Sequence, residues 1–120
     1  MKKNLILIFF LLPFSPFASA QLPTSAQAEI ENILSALGSS ACEFNRNGNW
    51  YSASDAQAHL RKKYEYLLKK KLISSTEEFI TKGATESSMS SQPYQVRCSN
   101  AAMVPSSVWL TNQLQVLRKK

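Results

Sequence analysis

Histidine occurs once in this chain, cysteine twice and glycine three times among 120 residues, and each scarcity removes a class of chemistry. One histidine, His59, leaves no partner ligand for a metal: a helical zinc pair needs a second histidine four residues on, where Lys63 stands. Cys42 and Cys98 lie too far apart for a C-x-x-C redox motif. The glycines form no phosphate-cradling loop, and neither a G-x-S-x-G elbow nor an S-x-x-K pair is present. The eight acidic residues make no acid–base pair, since Glu77 and Glu78 read as the first turn of a helix, where its dipole favours them. Internal repeats are absent as well. No catalytic activity, cofactor or metal is expected.

What is present begins with an address. Lys2 and Lys3 precede an apolar run from Leu5 to Leu12, then Pro13, Pro16 and the small residues Ala18-Ser19-Ala20. This is the pattern of a secretory signal peptide over residues 1–20, cleaved near Ala20. The run is too short for the roughly 20 apolar residues of a membrane span, and Gln21 is not the cysteine of a lipoprotein. A periplasmic or secreted single domain over residues 21–120 is expected, without a transmembrane anchor and monomeric. Net charge is +6 for the whole chain and falls to +4 when Lys2 and Lys3 leave (6 − 2 = 4). That excess suits acidic surfaces but does not argue nucleic-acid binding. The expected partner is a periplasmic protein or cell-envelope component.

Hydrophobic periodicity gives the elements. Gln21 to Pro23 reads as a flexible leader, and Thr24 with Gln27 has capping-box spacing. Ala26, Ile30, Ile33, Leu34 and Leu37 form one helical stripe ending at Gly38, read as a left-handed cap. Cys42 and Phe44, then Trp50 and Tyr51, flank Asn47-Gly48 and predict a β-hairpin. Ser54 and Gln57 open a long helix to about Leu72, with Ala56, Leu60, Tyr64, Leu67 and Leu68 buried. Ser75 and Glu78 open a short one ending at Gly83. Thr85 to Pro93 is a serine-rich loop, and Tyr94, Val96 and Cys98 alternate as a strand. Pro105 and Ser106 start a last helix, with Leu110, Leu114 and Leu117 as its core stripe and Trp109 and Val116 as a second apolar line. The fold class is α+β: about four helices packed on a small antiparallel sheet of about three short strands. An oxidising compartment favours a Cys42–Cys98 disulfide, worth roughly 4 kcal/mol in the chain-entropy model; free thiols or an intermolecular bridge are the alternatives.

Four motifs stand in order: Phe44-x-Arg46-Asn47-Gly48, Asp55-Ala56-x-x-His59-Leu60-Arg61-x-Lys63, Thr76-Glu77-x-Phe79-Ile80 and Ser87-Ser88-x-Ser90-x-x-Pro93-Tyr94. Together they resemble the YfeK-like family of small exported bacterial proteins, over about Phe44 to Arg97. The family's turn carries glycine where this chain has Ser91. The resemblance implies an exported single domain and no particular activity.

The candidate binding surface comprises Arg46, Asn47, His59, Ser87, Ser88, Ser90, Tyr94 and Arg97. A turn arginine can fork a carboxylate or phosphate, or bridge to Glu43 at the surface. Loop serines can hold a polar ligand with Arg97 and Arg46, or bond their own backbone as turns do. His59 can be a site residue or a boundary histidine bonded to a loop. Trp50, Tyr51 and Trp109 can form a platform or fill the core. The lysine-rich stretch from Arg61 to Lys71 can meet anionic headgroups or acidic glycans, or form a solvated face. These weigh towards a non-catalytic periplasmic binding or accessory protein. A lysozyme-inhibitor-like protein acting on a cell-wall hydrolase is the alternative, and a small hydrolase using His59 and a loop serine is a third reading.

Overall fold

The computed structural model describes residues 21–99 and 101–120; the signal peptide expected over residues 1–20 lies outside the described residues. Four helices, α1 (Thr24–Gly38), α2 (Ala53–Lys69), α3 (Thr76–Gly83) and α4 (Ser106–Arg118), accompany four strands. The strands β1 (Cys42–Arg46), β2 (Asn49–Ser52), β3 (Gln95–Cys98) and β4 (Val104–Pro105) form one antiparallel sheet in the order β2-β1-β3-β4. The α+β reading holds, with one strand more than the periodicity predicts. That strand is two residues long and ends in Pro105, which has no amide hydrogen to give and is tolerated at the sheet's edge.

The hairpin turn forms at the predicted place. Asn47 and Gly48 take φ of 54° and 86°, the positive pair that a two-residue loop needs to match strand twist. Register then sets the faces. Phe44 stands opposite Tyr51 and Val96, and Glu43 opposite Ser52 and Arg97. Cys42, Phe44 and Val96 are buried, while Glu43 and Arg97 share the outer face. Cys42 pairs directly with Cys98, and the two are disulfide-bonded across β1 and β3.

Helix α2 packs on β1 and β2, α4 on β3 and β4, and α1 on α2, α3 and α4. The core lies between these layers, with Ile30, Ile33, Leu34, Leu37, Phe79, Leu110 and Leu114 almost wholly buried. Side chains of this size gain roughly 1.5–3 kcal/mol each on full burial.

Several local readings need correction. Leu22 is buried in the core, and its carbonyl accepts from Gln27 Nε2 at 3.0 Å, so the leader is docked and the capping box unused. Gly38 is not left-handed; a Cβ there would push aside the Gln57 side-chain amide. Helix α2 is capped by Ser52, whose Oγ accepts from the Asp55 amide at 3.1 Å, not by Ser54. It stops at Lys69, because Lys71 turns left-handed (φ 56°) and the amides of Lys71 and Leu72 return to the carbonyls of Leu68 and Leu67. Ser75 does cap α3, accepting from the Glu78 amide at 3.0 Å. Val116 is exposed, whereas Trp109 packs edge-on against Phe44 with centroids 5.7 Å apart.

Candidate functional site

Three elements converge where the hairpin meets α2. Arg46 ends β1 on the same face as Phe44, diagonal to Tyr51 on β2, and its guanidinium lies 5.0 Å from the Tyr51 ring centroid. His59 and Lys63 are one helical turn apart on α2 and therefore share a face. Tyr94, buried, follows the serine loop; its amide donates to the Thr85 carbonyl and its own carbonyl accepts from the Ser106 amide, both at 2.9 Å.

The side chains form a chain of contacts: Arg46 Nη1 to His59 Nδ1 at 3.4 Å, His59 Nε2 to Tyr94 Oη at 2.9 Å, and Lys63 Nζ to Tyr94 Oη at 3.0 Å. Guanidinium and ammonium can only donate. His59 Nδ1 must then accept from Arg46, which places the imidazole hydrogen on Nε2, facing Tyr94. The Tyr94 oxygen thus accepts from both His59 and Lys63. Its own hydrogen is left to point elsewhere, and no acceptor for it occurs among the described residues.

Electrostatics agree with a neutral imidazole. Burial, then the charges of Arg46, Lys63 and Lys62, pull the His59 pKa down to about 4. Burial and Arg46 also lower the Lys63 ammonium, while burial raises the Tyr94 phenol against the pull of Arg46.

Among the described residues, Arg46 differs from the other three arginines in lacking an acid. Arg61 meets Glu31 at 2.6 Å, Arg97 meets Glu43 at 2.8 Å, and Arg118 meets Glu29 at 2.8 Å and Glu77 at 2.6 Å. Arg46 has no carboxylate within ion-pair distance among the described residues, and Lys63 bonds only the Glu86 carbonyl and Tyr94. The bridge from Arg46 to Glu43 does not form, because the two alternate to opposite faces of β1.

Beside Arg46 opens a cavity of about 170 Å³, walled by Phe44, Tyr51, Ala56, Leu60, His59 and Tyr94. Asp55 is the one acid on its wall, exposed in the first turn of α2 where the helix dipole suits it. On the far side of His59 lies a broader groove of about 480 Å³, lined by Lys62, Lys63, Lys82, Tyr66 and Ser88. His59 is the partition between the two.

The predicted surface is brought together only in part. Arg46, His59 and Tyr94 meet, and Ser90 Oγ bonds Asn47 Oδ1, tying the serine loop to the hairpin turn. Ser88 faces the lysine groove. Ser87 is buried and builds the turn itself: its Oγ accepts from the Met89 amide at 3.2 Å and its carbonyl from the Ser91 amide at 2.9 Å. Arg97 sits on the opposite face of the sheet, over the Trp50 ring at 3.8 Å and paired with Glu43, away from Arg46. Neither His59 nitrogen bonds a serine hydroxyl. Lys63 and Tyr51 join this site, although the sequence places one in a lysine-rich stretch and the other in an aromatic platform. The four-residue spacing from His59 and the cross-strand diagonal to Arg46 were the signals.

Among the described residues no helix is long and apolar enough to cross a membrane, and no group of three or more His, Cys, Asp or Glu is placed to hold a metal ion. Neither the curated proteins nor the solved structures include a match to the chain. A model for a family of unknown function, DUF5329, matches residues 24–118, from the first residue of α1 to the last of α4, and the chain belongs to that family.

Proposed function

We propose that this protein is an exported, non-catalytic binding or accessory protein of the bacterial cell envelope, and that the Arg46 cleft receives an acidic partner. The observation that carries the reading is Arg46: an arginine without a carboxylate, held half-buried between an aromatic ring and a neutral imidazole. A guanidinium kept partly out of water gains more from an incoming anion than a solvated one does. The leader-like residues 1–20 and the cross-strand disulfide suit an oxidising compartment. The resemblance to the YfeK-like family supports the same site, since its motifs supply Arg46, His59, Lys63 and Tyr94. Turnover is left out because His59, with both nitrogens engaged and a pKa of about 4, is a poor general base near neutral pH. That weakens the hydrolase reading.

Cross-linking in the cell envelope followed by capture tests the reading. Wild-type protein should retain a partner at low salt, and Arg46→Ala should lose it while Arg97→Ala keeps it. Equal capture by wild type and Arg46→Ala would defeat it.

One observation favours the inhibitor alternative. Met89 is 91 % exposed at the tip of a loop braced by the Ser87 and Ser90 hydroxyls and the Glu86–Pro93 bridge. A rigid loop presenting a flexible apolar side chain is suited to entering another protein's cleft. A lysozyme turbidity assay tests it: inhibition lost in Met89→Asp would favour this reading.

A further inference from the structure

Resting on the acidic-partner reading, we infer that the cavity beside Arg46 binds an organic carboxylate with a small apolar body, of about the size of benzoate or phenylacetate. The same chemistry is offered by a free aromatic or branched acid and by the C-terminal residue of a peptide. Volume sets the body: about 170 Å³ is comparable to the ~150 Å³ apolar cavity that takes up benzene. The walls of Phe44, Tyr51, Ala56 and Leu60 give it dispersion contacts, and the polar groups beside them are Asn45, Ser106, whose hydroxyl is spent on the Ala84 carbonyl, and the exposed Asp55. The head is set by two unspent donors. Arg46 has guanidinium hydrogens beyond the one directed at His59. Tyr94, its oxygen occupied by donors from His59 and Lys63, has only its hydrogen to offer, and that selects an acceptor. A carboxylate satisfies both and brings the charge that offsets the guanidinium, whereas an ammonium accepts nothing and an alcohol accepts without charge. Lys63 behind Tyr94 adds positive potential, and neutral His59 gives its hydrogen to Tyr94, so protonation of the imidazole is not required for the anion to enter.

Titration of the disulfide-bonded protein with phenylacetate, followed by amide chemical shifts, tests the inference. Saturable shifts at Phe44–Tyr51, His59 and Tyr94 are expected, with 2-phenylethanol at least tenfold weaker. Arg46→Met should lower phenylacetate affinity at least tenfold and Tyr94→Phe several-fold, with Arg97→Met unchanged. If Tyr94→Phe fails to fold, Arg46→Lys carries the test, since a point charge without the planar fork should bind several-fold more weakly. Acetyl-Ala-Phe and its C-terminal amide separate the sources: the acid binding tighter than phenylacetate assigns a chain terminus, and equal binding assigns a free acid. Phenylacetate and 2-phenylethanol binding alike, or phenylacetate binding untouched by Arg46→Met, overturns the inference. If envelope capture still depends on Arg46 when phenylacetate does not bind, the ligand class is wrong and the acidic-partner reading survives. If neither depends on Arg46, both fall.

Discussion

Around Arg118, α1 and α3 bring Glu29 and Glu77 to one guanidinium; around Arg46, the hairpin, α2 and the serine loop bring a tyrosine ring, an imidazole and apolar walls. The first region is closed electrically. Glu29 accepts from Arg118 and from the buried Thr76 hydroxyl at 2.6 Å, and with these bonds its pKa drops to about 2. The charges there are spent on joining α1, α3 and α4. In the second region two half-buried cations have no carboxylate within ion-pair distance among the described residues, Glu86 and Asp55 standing farther off, so the charge is available to something outside the chain. The two arginines differ in the presence of a carboxylate within reach, and on the proposed reading that difference separates a structural role from a ligand-directed one.

The contrast assumes that the sheet holds Arg46 in place, and the disulfide is the strongest test of that. Replacing Cys42 and Cys98 together with serine should cost roughly 4 kcal/mol by the loop-entropy model, measured by denaturant unfolding. Ligand shifts at Arg46 should broaden before the Arg118 network loosens, since β1 and β3 lose their covalent link.

Acid separates the regions next. The unfolded chain protonates its histidine near 6.5 but folded His59 only at about 4, so its contribution is complete above pH 6.5 and is lost as pH falls towards 4. The expected loss is roughly 2 kcal/mol once partial exposure is discounted. Glu29, lowered from 4.5 to about 2, acts in the same direction but only below about pH 4.5. His59→Gln should flatten the upper limb of the stability–pH curve and leave the lower one. An unchanged upper limb would mean the imidazole is not desolvated.

A smaller effect is expected within the closed region. Thr76→Val removes a buried hydroxyl that donates to the Glu29 carboxylate and should cost about 1–2 kcal/mol, without altering phenylacetate affinity. Arg46→Met should do the reverse, sparing stability and abolishing binding. Were both variants to lower stability equally, the two arginines would not differ in role.

The smallest change concerns the loop. Ser91 holds φ of 59°, at the position where the resembling family carries glycine. Ser91→Gly should relieve the left-handed strain and leave the protein unchanged or up to ~1 kcal/mol more stable, with the cleft unaffected. Thermal melting decides it.

How far the sequence could be read follows the range of the interactions involved. The stripe from Ala26 to Leu37, the Asn47-Gly48 turn and the Ser75 cap depend on neighbours within a few residues, and they formed as expected. Capping at Ser54 was misplaced by two residues because Ser52 and Ser54 compete at that helix start, and at Thr24 no side chain caps α1, whose entry is held by docked Leu22. Val116 matched an apolar line yet stayed in water, since its place on α4 lies away from the buried stripe of Leu110 and Leu114. Ser87 and Arg97 were grouped with Arg46 on polarity alone. Burial of one and the strand alternation of the other separated them.

Sequence by itself determined the helices, the hairpin, the α+β class and the one intramolecular pairing open to two cysteines, because periodicity, turn residues and cysteine number are local or countable properties. Only the tertiary structure decided that Arg46, His59, Lys63 and Tyr94 meet while Arg97 faces away. That outcome depends on antiparallel register and on α2 crossing the hairpin, contacts between residues dozens of positions apart that no local preference encodes.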